Sequence, residues 1–141
     1  MTSIIFLSNA NDRVQAAAAW IAAAWQERKP VTVFAPEMET AERLDRQLWI
    51  QPAIGFLPHC RADSPLAAET PVLIAANLDQ LTQDRCLLNL SNEVPPGFSR
   101  FEELVEVVSV DDRDRIPARD RFRFYRERGY AIEARNLADG A

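Results

Sequence analysis

The order of apolar runs in the first fifty residues constrains the fold more than any other feature of this chain. Ser3-Ile4-Ile5-Phe6-Leu7 has the make-up of a short buried strand, bounded by the polar stretch Ser8-Asn9-Ala10-Asn11-Asp12. Asp12 is placed to cap a helix over residues 13–28, which Lys29-Pro30 stops. Alanine covers most of that helix, and Trp20, Ile21 and Trp25 add bulk. Small side chains let such a helix lie close to a sheet. Residues 31–35 read as a second strand closed by Pro36. Residues 39–49 read as a second helix, with Ala41, Leu44, Leu48 and Trp49 at helical spacing. Strand, helix, strand, helix is the pattern of βαβ units, whose strands run parallel.

The rest of the chain continues the theme with shorter signals. Residues 54–58 predict a third strand, residues 71–75 a fourth that starts at Pro71, and residues 86–90 a fifth. Pro95-Pro96-Gly97 is a turn, residues 99–103 suggest a helical turn, and residues 104–108 are β-rich. The last helix is expected to begin at Pro117 and to end before Gly129, a glycine at the position just past a helix end. Nothing repeats and no linker intervenes. The expectation is one α/β domain over residues 1–141, with a mostly parallel sheet and helices on both faces.

Composition sets the class. A chain of 141 residues with 48% hydrophobic and 26% charged residues can bury a core and is not disordered. Its longest apolar run, residues 16–25, falls far short of the roughly 20 residues that cross a bilayer. No Lys or Arg precedes the apolar N-terminal stretch, as a secretory signal would require. Cys60 and Cys86 are too few for a disulfide framework and fit a reducing compartment, so a cytoplasmic location is expected. The net charge of −5 disfavours a dedicated duplex-DNA binder. That average hides a segregation. Residues 113–128 hold Arg113, Arg115, Arg119, Arg121, Arg123, Arg126 and Arg128 against Asp114, Asp120 and Glu127, and the rest of the chain is acidic. A basic segment in an acidic chain can mark a site for an anionic partner.

Much chemistry is excluded. The loop after the first strand has no glycine, so it is neither a dinucleotide fingerprint nor a P-loop. His59 is the only histidine, and beside Cys60 alone it makes no metal site. A nucleophile–histidine pair would have to use His59, which reads more simply as a loop residue after Pro58. No cofactor and no metal is expected, and the residues argue for a binding module rather than an enzyme.

Two constellations remain. Trp49 stands at a helix end with Phe56 and Pro58 shortly after it. These aromatics are either core or anchors of a protein-docking patch. In the last helix, Arg119, Arg123 and Arg126 fall at i, i+4 and i+7 on one face, with Arg115 a turn upstream. Ala118, Phe122 and Tyr125 fall on a neighbouring face toward the core. An aromatic edge beside guanidiniums suits a peptide with an aromatic side chain and a carboxylate. It also suits single-stranded nucleic acid, or it is simply a solvated helix face.

The chain resembles the chi subunit family of bacterial DNA polymerase III holoenzyme. The resemblance is carried by Arg43-Leu44-Asp45 with Leu48-Trp49, by Pro52-Ala53 and Phe56-Leu57-Pro58-His59, and by Pro71-Val72 with Ile74-Ala75. It continues through the final helix with Ala118-Arg119, Arg121, Tyr125-Arg126 and Gly129. It implies a Rossmann-like fold without nucleotide binding or catalysis, in an accessory subunit of the clamp-loader complex. It also implies two partners: the psi subunit, and the acidic C-terminal tail of single-stranded DNA-binding protein. Trp49 and Phe56 match the psi-binding surface, which is also implicated in binding an XPD-like repair helicase. Val110, Arg115, Arg119, Phe122 and Arg123 match the tail-binding site. The turn over residues 109–115 is shorter than in the best-known members, Pro117 stands where others carry an aliphatic residue, and Phe122 replaces a tyrosine. A direct single-stranded nucleic-acid binder using the arginine helix is the alternative.

Overall fold

The computed structural model describes residues 1–50, 57–79 and 83–139. Among the described residues, seven strands and three α-helices follow one another along the chain. They are β1 (Ser3–Ala10), α1 (Arg13–Gln26), β2 (Val31–Phe34), α2 (Met38–Trp49), β3 (His59–Arg61), β4 (Val72–Ala75), β5 (Cys86–Asn89), β6 (Glu103–Ser109), α3 (Asp112–Glu127) and β7 (Ile132–Asn136). The strands form one sheet in the order β3-β4-β2-β5-β6-β1-β7. Every pairing is parallel.

Alternation along the strands divides the core between two faces. Ile5 and Leu7 of β1, Val31 and Val33 of β2 and Val105 and Val107 of β6 pack with α1 and α2. Ile4, Phe6, Phe34, Leu87, Leu104 and Val108 point the other way and pack with α3. In α1, Ala17, Ala18 and Ile21 are fully buried, so the alanine-rich surface does bring this helix down onto the sheet. The Asp12 carboxylate accepts from the Gln15 amide as the cap of α1. In α2, Ala41, Leu44 and Leu48 are buried; each leucine contributes about 1.5–3 kcal/mol by leaving water.

Several expectations need correction. β1 runs to Ala10 rather than stopping at Leu7, because its pairing with β6 resumes at Ala10 and Ser109 after an irregularity. A third strand is expected at residues 54–58; among the described residues the third strand lies just after that stretch. Residues 54–56 lie outside the described residues, and Leu57 and Pro58 belong to no strand. β3 starts at His59, just past the proline that lacks a donor, and aligns with Val72. The helical turn expected at residues 99–103 is a single 3₁₀ turn, Phe98–Arg100, entered through Gly97 at φ 76°, and Glu103 already belongs to β6.

The last helix begins five residues before Pro117. Asp111 caps it by accepting from the Arg113 amide at 2.9 Å, and Asp112 and Asp114 place negative charge in its first turn. Pro117 therefore lies inside the helix, where the missing N–H leaves the Arg113 carbonyl without its helical donor. Past the helix, Gly129 takes φ 83°. β7, which no apolar run announces, then adds to β1 at the edge of the sheet.

Candidate functional site

The path from β6 through α3 to β7 carries the chain over β1, so α3 lies across β1 and β6 on the face opposite α1 and α2. Its seat is a buried polar cluster. Glu106 of β6 is fully buried, and its carboxylate receives Arg121 Nε at 3.2 and 3.1 Å, the Tyr125 hydroxyl at 2.7 Å and the Asn89 amide at 3.0 Å. Burial first, and then the neighbouring Glu106 charge, push the Tyr125 phenol well above its ordinary range.

Beside this seat α3 and the two strands leave an open groove of about 350 Å³. Phe6 and Ser8 of β1 and Val108 of β6 form its floor, and Arg115, Ala118, Arg119, Phe122, Arg123 and Arg126 of α3 form its wall. Phe122 is half-buried and stands edge-on to Phe6, with ring centroids 5.1 Å apart. The four arginines are exposed. An apolar notch bordered by four guanidiniums can hold an aromatic side chain and grip an attached carboxylate.

Of the residues singled out for tail binding, Arg115, Arg119, Phe122 and Arg123 meet in this groove. Val110 is not among its walls. It is 52% exposed in the turn between β6 and α3, where its amide donates to the Ala10 carbonyl at 2.9 Å. Val108, two residues earlier in β6, lies in the apolar floor. Phe6, Ser8 and Val108 are the members that sequence reasoning missed. The signal was strand alternation, which puts Phe6 and Ser8 on one face, but nothing local says that α3 covers that face.

The second constellation is split. Trp49 ends α2 and is 60% exposed, next to Ile50 at 64%. The Trp49 ring meets the His59 ring edge-on at 4.9 Å. His59 donates from Nδ1 to the Leu57 carbonyl at 2.8 Å and sets Nε2 3.1 Å from Asp45 Oδ1. α2 and the start of β3 thus hold Trp49 at the surface from both sides. Phe56 lies outside the described residues.

The carboxyl end of the sheet, where open α/β folds bind nucleotides, is already furnished. Asp12 occupies the N-terminus of α1 and pairs with Arg43 at 3.0 Å. Arg13 reaches over β5 and β6, donating to the carbonyls of Val107 at 2.8 Å and Ser91 at 2.7 Å. Burial lowers the pKa of its guanidinium, with Glu106 acting in the opposite sense. A phosphate at that helix end would meet the Asp12 carboxylate. Among the described residues, no cluster of three His, Cys, Asp or Glu side chains is placed to hold a metal ion, and no helix is long and apolar enough to cross a membrane.

Fold and site together define an all-parallel α/β domain with an arginine-walled groove on one face and no glycine phosphate loop after its first strand. The chain belongs to the family described as DNA polymerase III chi subunit, HolC, whose model matches residues 1–133. It is similar to the DNA polymerase III subunit chi of Pseudomonas aeruginosa, at 31% identity over 125 residues that cover 89% of this chain and 87% of the relative. The Escherichia coli subunit chi is 31% identical over 109 residues, 77% of this chain and 74% of the relative. That of Haemophilus influenzae is 26% identical over 117 residues, 82% and 81%. The chain is thus a member of a family of replication accessory subunits.

Proposed function

We propose that this protein is a non-catalytic, single-domain accessory subunit that bridges the psi subunit of the clamp-loader complex to the acidic C-terminal tail of single-stranded DNA-binding protein. The observation that carries this reading is the groove in which Arg115, Arg119, Phe122 and Arg123 converge on the Phe6–Val108 floor. A peptide ending in phenylalanine would seat its ring against Phe6 and Phe122. Arg119, at the middle of the wall, would grip the terminal carboxylate, since a planar fork can engage both oxygens. Arg115 and Arg123 flank it and attract the acidic residues upstream.

The exposed Trp49–Ile50 corner, on the α2 side of the sheet, is the proposed surface for psi or for an XPD-like helicase, and Phe56 is assigned to it from the sequence alone. The two surfaces lie on elements packed against opposite faces of the sheet, which suits a bridge. Many tails on protein-coated single strands would raise the local concentration of the polymerase assembly there. A titration of the protein with a tail peptide and with a single-stranded oligonucleotide of equal charge tests the reading. The peptide should bind and the oligonucleotide should not; preference for the oligonucleotide would favour direct nucleic-acid binding instead.

A further inference from the structure

We propose that Arg61, at the carboxyl end of β3, receives one acidic side chain of the protein that docks on the Trp49 corner. The inference rests on the psi-docking reading and adds to it a second anchor, of chemistry opposite to that of Trp49. Arg61 is half-buried, and its Nε is shielded from solvent with no hydrogen-bond acceptor. Among the described residues, no carboxylate lies within ion-pair distance of it. A buried donor left without a partner is costly, and more so on a charged group. The side chain lines an open cavity of about 330 Å³ together with Ile74, Asn77, Asp63 and Asp79. A carboxylate entering that cavity can accept from Nε and a terminal nitrogen side by side, which removes the cost in the complex alone.

Strand geometry ties Arg61 to Trp49. β3 is the edge of the sheet. His59 and Arg61 stand two residues apart, so their side chains leave the same face, roughly 6.6 Å apart along the strand. They align with Val72 and Ile74, which belong to the core beneath α1 and α2. His59 in turn meets the Trp49 ring edge-on at 4.9 Å. Trp49, His59 and Arg61 therefore follow one another along the α2 side of the open edge. A segment crossing this edge buries apolar surface on Trp49 and Ile50 and brings its next few residues to the Arg61 cavity. Asp63 and Asp79 are exposed at the rim and repel a run of acids. The site thus fits a lone carboxylate among apolar or basic residues, unlike the acidic tail assigned to the α3 groove.

Calorimetric titration of the whole protein with the psi subunit of the same bacterium tests this. Arg61→Ala should weaken binding about tenfold, the scale of a hydrogen bond to a charged group. Arg61→Lys should recover little, because a point charge lacks the planar fork. Free Arg61→Ala protein should unfold at the wild-type urea concentration or above it, since the deleted group has no partner to lose. One Asp or Glu of psi, changed to Asn or Gln, should weaken binding to the wild type as much, and binding to Arg61→Ala no further. Wild-type affinity in Arg61→Ala, with Trp49→Ala still weakened, overturns the inference and leaves the docking reading in place. A lowered urea midpoint for Arg61→Ala, or the absence of any coupled acid on psi, overturns it as well. Wild-type affinity in both Trp49→Ala and Arg61→Ala would instead remove the docking reading beneath it.

Discussion

Arg121 sets its Nε between the two carboxylate oxygens of Glu106, 3.2 and 3.1 Å away, and both side chains are almost completely buried between α3 and the sheet. The two terminal nitrogens of that guanidinium find no hydrogen-bond partner among the described residues. Glu106 is the carboxylate that compensates its buried charge. Glu106→Gln keeps the shape and removes the charge, and breaking one side of a buried pair costs about 3–5 kcal/mol. Urea titrations should show a lower midpoint at an unchanged slope. A loss below about 1 kcal/mol would mean that the pair does not hold α3 in place.

Alkaline pH should destabilise the protein. Burial holds the protons of both Tyr125 and Cys86 in the folded chain, raising both groups above their ordinary values of 10.0 and 9.0. Above those values the unfolded chain binds fewer protons than the folded one, so stability is complete below about pH 9 and falls as pH rises further. Denaturation midpoints followed from pH 8 to pH 11 should decline through this window, and Tyr125→Phe should flatten the part above pH 10. A flat wild-type profile would contradict the buried, protonated pair.

The Trp49 corner predicts a separation of binding from stability. Trp49 is 60% exposed, so Trp49→Ala should leave the far-UV circular dichroism spectrum native. Affinity for psi or the helicase should fall by about 2 kcal/mol, the size of an interface hot spot. An unfolded variant would instead make the contact between Trp49 and His59 a structural one.

Arg123 and Arg119 should differ in their response to salt. Arg123 stands exposed at the rim beside Asp120, and in the proposed reading it would attract the peptide through screened, long-range charge. Its replacement by alanine should weaken peptide binding at low ionic strength and matter little at high. The loss from Arg119→Ala should persist in salt, because a bidentate hydrogen bond to a carboxylate is a contact rather than a field. Parallel salt titrations of the two variants read the difference, and identical slopes would erase the distinction.

The sequence was most legible where a signal was local. Asp12 as a cap, the alanine surface of α1 and the apolar runs of β2, β4 and β5 each declare their state within a few residues. The helical spacing of Arg115, Arg119, Phe122 and Arg123 likewise needs only α3 to bring these side chains together. Illegible features were those decided by distant partners. β7 is largely exposed and carries Glu133, Arg135 and Asn136, so only its ladder with β1 makes it a strand. Pro117 suggests a helix start, but Asp111 supplies the better cap and the helix runs through the proline. Val108 lines the groove because β6 continues to Ser109 and alternation points Val108 toward α3.

Amidating the C-terminus of the peptide tests the central claim most directly. Calorimetric titration would compare free-acid and amidated forms of an acidic, phenylalanine-terminated peptide on the wild-type protein and on Arg119→Ala. Amidation should cost the wild type about 2 kcal/mol, within the range of a hydrogen bond to a charged group. Arg119→Ala should lose a similar amount with the free acid and little more with the amide, since both changes delete one contact. Equal affinity of the wild-type protein for the two peptides would contradict carboxylate capture by Arg119.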